Sequence, residues 1–123
     1  MLMQAPNPAD AYRRIDVEAR VMTADQQELV RLCLKRVVDD IAAALRAHGM
    51  GDRTRRSAGL TGAYAALVAL ELGVDRNAPL GEVLLDFYGA ARGTILKCVT
   101  EFDVSALALV RDDFAELAMA LQS

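Results

Sequence analysis

Apolar and polar positions recur along most of this chain at the three- and four-residue steps of an α-helix, in four blocks separated by breaker residues. The clearest block is Thr23 to Ala47, TADQQELVRLCLKRVVDDIAAALRA. There Val30, Leu34, Val37, Ile41, Ala44 and, just beyond, His48 form one stripe, flanked by Leu29, Cys33 and Leu45, while Arg31, Lys35, Asp39 and Arg46 fall on the opposite side. Thr23 and Gln26 have the spacing of a reciprocal capping box, which fixes the start of this predicted helix over 23–47. Such a helix buries one broad face and wets the other, so it needs partners.

The remaining blocks supply them. Gly49 and Gly51 turn the chain, and a second helix is predicted over 54–72, ended by Gly73. Leu60, Tyr64, Leu67 and Val68 point one way on it, while Gly59, Gly62, Ala63, Ala65, Ala66 and Ala69 keep much of its surface small. A surface of that kind serves either close helix packing or a docking trough. Asn77 reads as an N-cap ahead of Pro79, opening a third helix over 79–100. This helix has two apolar stripes, Leu80, Leu84, Phe87, Ala91, Thr94 and Cys98, and beside it Leu85, Tyr88, Ile95 and Val99. After a break at Glu101 to Asp103, a fourth helix over 104–121 carries Leu107, Val110, Phe114, Leu117 and Leu121 at bundle-seam spacing, with Arg111, Asp112, Asp113 and Glu116 on the wet side. Short connections imply antiparallel neighbours, so the expected fold is all-α: an up-down four-helix bundle over 23–123.

Residues 1–22 break the pattern. Pro6 and Pro8 forbid regular helix, and Ile15 to Val21 alternate apolar with polar, the period of a strand with no strand downstream to pair with. The segment reads as a mobile N-terminal arm lying along a groove of the body, in preference to a helix continuing from Tyr12.

Composition changes this picture in one respect. The chain of 123 residues fits one domain, and its hydrophobic fraction of 54% with only 5% aromatics is high for a soluble protein even after allowing for 22 alanines. Some apolar surface is therefore expected to stay exposed. A net charge of −3 argues against nucleic acid, and Arg53, Arg55 and Arg56, with no aromatic interleaved, read as a solvated loop and helix start. Cys33 and Cys98 have no ligand or redox spacing and suit a reduced, cytoplasmic chain. With no apolar run long enough to cross a bilayer and no secretory leader pattern, neither membrane insertion nor secretion is expected.

Chemistry is sparse. The helix interiors are apolar, the Asp39–Asp40 and Asp112–Asp113 pairs point about 100° apart on their helices, and no cofactor, metal or catalytic set is expected. His48 raises the possibility of a phosphotransfer bundle, but it precedes Gly49 at a helix end, where an imidazole more simply meets the helix dipole. The expectation is a binding protein. A helical homodimerisation or scaffold module is the main alternative, separable by sedimentation without partner.

The stretch AYRRIDVEARVMTADQQELVRLCLKRVVDDIAAA, from Ala11 to Ala44, resembles the tyrosine-bearing arm, polar turn and first helix of the flagellin-specific export chaperones of the FliS family. Thr23 to Leu29 is similar to that family's alanine-serine-proline-glutamate-glutamate-leucine turn, without the proline. Phe87 and Tyr88 match its leucine-tyrosine pair, Ile95 its next leucine and Cys98 its alanine, and Asp103 and Leu107 keep its spacing. Val99 stands where the family has asparagine and Ala90 where it has an aromatic. The resemblance implies a cytoplasmic export chaperone, monomer or weak dimer, that binds the disordered C-terminal segment of flagellin and delivers it to the export gate, with a co-chaperone as a further possible partner. It also implies partner contacts at Leu84, Tyr88, Ile95 and Val99, which are otherwise ordinary core positions. The arm around Tyr12 and Ile15, with the apolar ring and polar tip of Tyr12, is expected to cover the groove until flagellin arrives.

Overall fold

The computed structural model describes residues 23–121. They form four helices, α1 (Ala24–Gly49), α2 (Arg53–Leu72), α3 (Gly81–Thr100) and α4 (Val104–Ala120), with no strand among the described residues. The expected four-helix bundle is present. The expectations for the arm, including Tyr12 and Ile15, lie outside the described residues.

Local chemistry sets the helix ends. The Thr23 hydroxyl accepts the Gln26 N–H at 3.1 Å and the Gln26 side chain accepts the Thr23 N–H at 2.9 Å, completing the capping box. At the other end α1 continues through His48 to Gly49, and Gly51 then adopts φ +71°, a conformation that favours glycine, so that the Asp52 N–H reaches the Ala47 carbonyl at 2.9 Å. Asp52 and Asp103 cap α2 and α4 through the N–H groups of Arg55 and Ala106, each at 3.0 Å.

The start of α3 departs from the sequence reading. Asn77 does not cap it: the Asp75 carboxylate accepts the Asn77 N–H at 2.9 Å, which makes a turn, and the helix begins only at Gly81 behind Leu80, with no side-chain cap. The turn folds back over the helix start so tightly that a Cβ on Gly81 would collide with the Asp75 carbonyl oxygen.

α1 packs most extensively on α2 and next on α4, α2 also packs on α3, and α3 and α4 approach only lightly. Phe114, Leu34, Ile41, Leu67, Ile95, Leu107, Leu117 and Val37 are fully buried at the centre, each contributing roughly 1.5–3 kcal/mol. The α3–α4 separation is filled by rings: Phe87 stacks on Phe114 at 5.0 Å between centroids, and Tyr88 lies 6.1 Å from the same ring. The α1–α2 contact is the opposite case. A Cβ on Gly59 would lie 2.6 Å from the Asp40 carbonyl oxygen and 3.0 Å from the Ala44 Cβ, and one on Gly62 would overlap the Asp40 carboxylate. Of the two uses open to the small surface of α2, close packing claims Gly59 and Ala63.

Candidate functional site

Burial inside the bundle decides which apolar side chains remain for a partner. On α3 the buried line is Leu84, Tyr88, Ala91, Ile95 and Cys98, which crosses from one predicted stripe to the other. The expected contact set therefore divides. Leu84, Tyr88 and Ile95 belong to the core, at 9%, 2% and 1% exposure, because α3 is flanked by α2 on one side and α4 on the other and turns the line between the two stripes inward. Only Val99 lies on the surface, at 63%, with Leu96 one turn before it. Burial pushes the Tyr88 phenol well above its ordinary range.

Other large apolar side chains are exposed on the neighbouring helices. Leu29 and Leu32 stand out from α1 at 61% and 55% exposure, and Leu72 from the end of α2 at 82%. Between α1 and α2 runs an open cleft of about 520 Å³, floored by Gly62, Ala65 and Ala66 and walled by Leu32 and Cys33. Lys35, Arg36 and Asp39 line its rim. The register fixed by Gly59 against Ala44 and Gly62 against Asp40 is antiparallel, so it continues by placing Ala69 and Leu72 opposite Leu32 and Leu29. The cleft itself has Leu32 and Cys33 on its wall and alanine and glycine on its floor, and Leu29 and Leu72 are exposed further along the same two helices.

The polar groups around it are held in local pairs. Lys35 bonds Asp39 at 2.9 Å, and Arg36 bonds Asp40, whose carboxylate lies against the Gly62 backbone. These surface pairs contribute little to stability and leave the charged groups on the rim of the cleft. Arg36 is thereby held more firmly protonated, first by the hydrogen bond it donates to Asp40 and then by the charge of that carboxylate. Partial burial pushes the Cys33 thiol up, away from nucleophilic reactivity, and both cysteines are free. Among the described residues the ion pair joining two helices is Arg92 with Glu71, 2.7 Å apart across α2 and α3.

His48 sits at a helix end, as its place before Gly49 implied. In the last turn of α1 its ring stacks on Phe102 at 4.3 Å and 18°, and its Nδ1 lies 3.0 Å from Arg56 Nη1, while the Arg56 guanidinium sits 5.1 Å above the Phe102 ring. That cluster ties the α3–α4 turn to the α1–α2 turn. Among the described residues no three His, Cys, Asp or Glu side chains are grouped to hold a metal ion, and no helix is long and apolar enough to cross a membrane.

Sequence reasoning placed Leu29 beside the α1 stripe and passed over Leu32, Leu72 and Leu96. The signal available was their position off the core stripe of each helix.

Residues 8–123 match the profile of the family described as flagellar protein FliS. No curated protein matches the chain. Because the match takes in all four helices and the approach to α1, the chain belongs to the FliS family, a family of flagellar export chaperones.

Proposed function

We propose that this chaperone binds the disordered C-terminal segment of flagellin in the apolar grooves of its bundle, keeps it from polymerising before export and carries it to the export gate. The observation that carries this reading is the cleft between α1 and α2, where Leu32 stays exposed beside a floor of small residues, with Leu29 and Leu72 exposed further along the same helices. An amphipathic segment laid there as a helix sets its own apolar side chains between those leucines, each Å² removed from water contributing roughly 25 cal/mol. Small floor residues let the incoming backbone come close, and the charged rim faces the polar side of the guest.

Leu84, Tyr88 and Ile95 act in this reading by holding the position of α3 from within. The arm around Tyr12 and Ile15 covers a groove in the free chaperone and leaves when flagellin arrives. Ordering a disordered tail offsets part of the gain from burial, so the complex is reversible enough to release its cargo at the gate. Calorimetric titration of the full chain with a flagellin C-terminal peptide tests the proposal. It predicts saturable one-to-one binding with a negative heat-capacity change and a rise in helicity; no binding, or binding equally strong to a scrambled peptide of the same composition, contradicts it.

A further inference from the structure

The up-down topology gathers the C-termini of α1 and α3 and the N-termini of α2 and α4 at one end of the bundle, and charge is distributed unevenly between that end and the other. The first end carries Arg46, Arg53, Arg55, Arg56 and Lys97. Its acidic residues are fewer, and two of them, Asp52 and Asp103, are occupied as helix caps. Arg46, Arg53 and Lys97 are exposed and have no ion pair among the described residues. The opposite end carries Asp25, Glu28, Asp75, Glu82, Asp86 and Glu116 against Arg31 and Arg76. The basic end is also apolar: Met50 is 75% exposed, Val99 63%, and Val104 and Leu96 49% each. His48, Phe102 and Arg56 brace its two turns against each other and give the surface a fixed shape.

We infer that this end of the bundle is a second docking surface, separate from the α1–α2 groove, for an acidic protein segment with apolar anchors. Charge complementarity selects the sign of the partner, and the exposed Met50, Val99 and Val104 select a protein over a nucleic acid, because a phosphate backbone has no use for them. The excess negative charge of the whole chain, −3, and its acidic far end also disfavour a long polyanion, which would have to pass along the bundle. Basic side chains around apolar ones suit a helix whose glutamates flank a row of leucines.

The test uses the full chain and fluorescent probes: an amphipathic glutamate–leucine peptide, the same peptide with serine for leucine, polyglutamate, and oligothymidylate. Anisotropy at low and moderate salt is expected to show binding of the glutamate–leucine peptide that weakens with salt, and much weaker binding of the other three. The double variant Arg46→Glu/Arg53→Glu is expected to lose about tenfold in affinity. Arg46→Lys/Arg53→Lys is expected to retain affinity, and neither variant changes affinity for a flagellin C-terminal peptide. Arg53 opens α2, where glutamate suits the helix dipole, so the charge-reversal variant is expected to stay folded by circular dichroism. Equal binding of polyglutamate or oligothymidylate overturns the inference, as does unchanged peptide affinity in the charge-reversal variant. Salt-sensitive self-association abolished by that variant would assign the surface to a second copy. Loss of flagellin-peptide binding in it would make this end part of the flagellin site. Either result also overturns the inference, and neither coincides with a failure of wild-type flagellin binding.

Discussion

Replacing Gly59 and Gly93 by alanine should move stability in opposite directions, although the substitution is the same and both residues sit inside helices. In an exposed helix interior, glycine to alanine stabilises by about 1 kcal/mol, because alanine loses less backbone entropy on folding. Gly93 on α3 has nothing within 4 Å of the added methyl, so Gly93→Ala should realise that gain in full. For a chain of this size it corresponds to a rise in Tm of about 4 °C. At Gly59 the same methyl lies 2.6 Å from the Asp40 carbonyl oxygen and 3.0 Å from the Ala44 Cβ. Backbone and a methyl group cannot rotate away, so α1 and α2 must separate. Overpacking of this kind costs about 1–3 kcal/mol, which exceeds the propensity gain and leaves Gly59→Ala destabilised by about 1 kcal/mol. Gly62→Ala should fall between the two, because there the clash is with the Asp40 carboxylate, which can swing aside by giving up Arg36. Thermal and urea unfolding of the three variants provides the measurement. Equal stabilisation at Gly59 and Gly93 would refute the close α1–α2 contact, and with it the register that aligns Leu29 and Leu32 with Leu72 and Ala69.

Three further outcomes follow from the packing and the charges. Phe114→Ala removes a fully buried ring stacked on Phe87 and should cost about 3–5 kcal/mol in urea unfolding, with α3 and α4 losing hydrogen-exchange protection first. Tyr88→Phe should be at least as stable as wild type, by up to about 1–2 kcal/mol, because the Tyr88 hydroxyl is buried without a hydrogen-bond partner among the described residues; a lower Tm would reveal a partner. Asp113 has its carboxyl pushed up, first by partial burial and then by the charges of Glu116 and Asp112. A raised folded-state value means that folding favours the protonated form, so its contribution to stability is present in acid and is lost as pH rises through that value. Asp113→Asn should therefore gain stability over wild type at neutral pH, by no more than about 0.5 kcal/mol, and the gap should close below the ordinary carboxylate range.

Much of this architecture is legible in the chain because local rules and tertiary packing agree over most of it. Thr23 and Gln26 mark the start of α1 through groups only three residues apart, and Leu107, Phe114 and Leu117 fall on a single stripe that leaves no choice of inward face. α3 is harder to read because it offers two apolar stripes, and periodicity cannot say which neighbours lie on either side. Between α2 and α4 the buried line runs through Leu84, Tyr88, Ile95 and Cys98, drawing from both. Asn77 fails as a cap because the chain first turns through Asp75–Ala78 and Ala78–Gly81, and the helix begins only at Gly81, which fits the tight approach of that turn. The groove was only partly visible. Its floor could be read as small residues on α2, but its walls depend on the register between α1 and α2, which Gly59 and Gly62 set through contacts across the bundle.

The central claim, that the exposed leucines along α1 receive the flagellin tail, is tested most directly by the double variant Leu29→Asp/Leu32→Asp. Both residues are more than half exposed, at 61% and 55%, so the fold should keep its Tm within a few degrees. The account predicts that affinity for a flagellin C-terminal peptide falls by about tenfold or more, through the lost burial of two leucine side chains and the placement of two carboxylates in an apolar groove. Wild-type affinity in a fully folded double variant would contradict it.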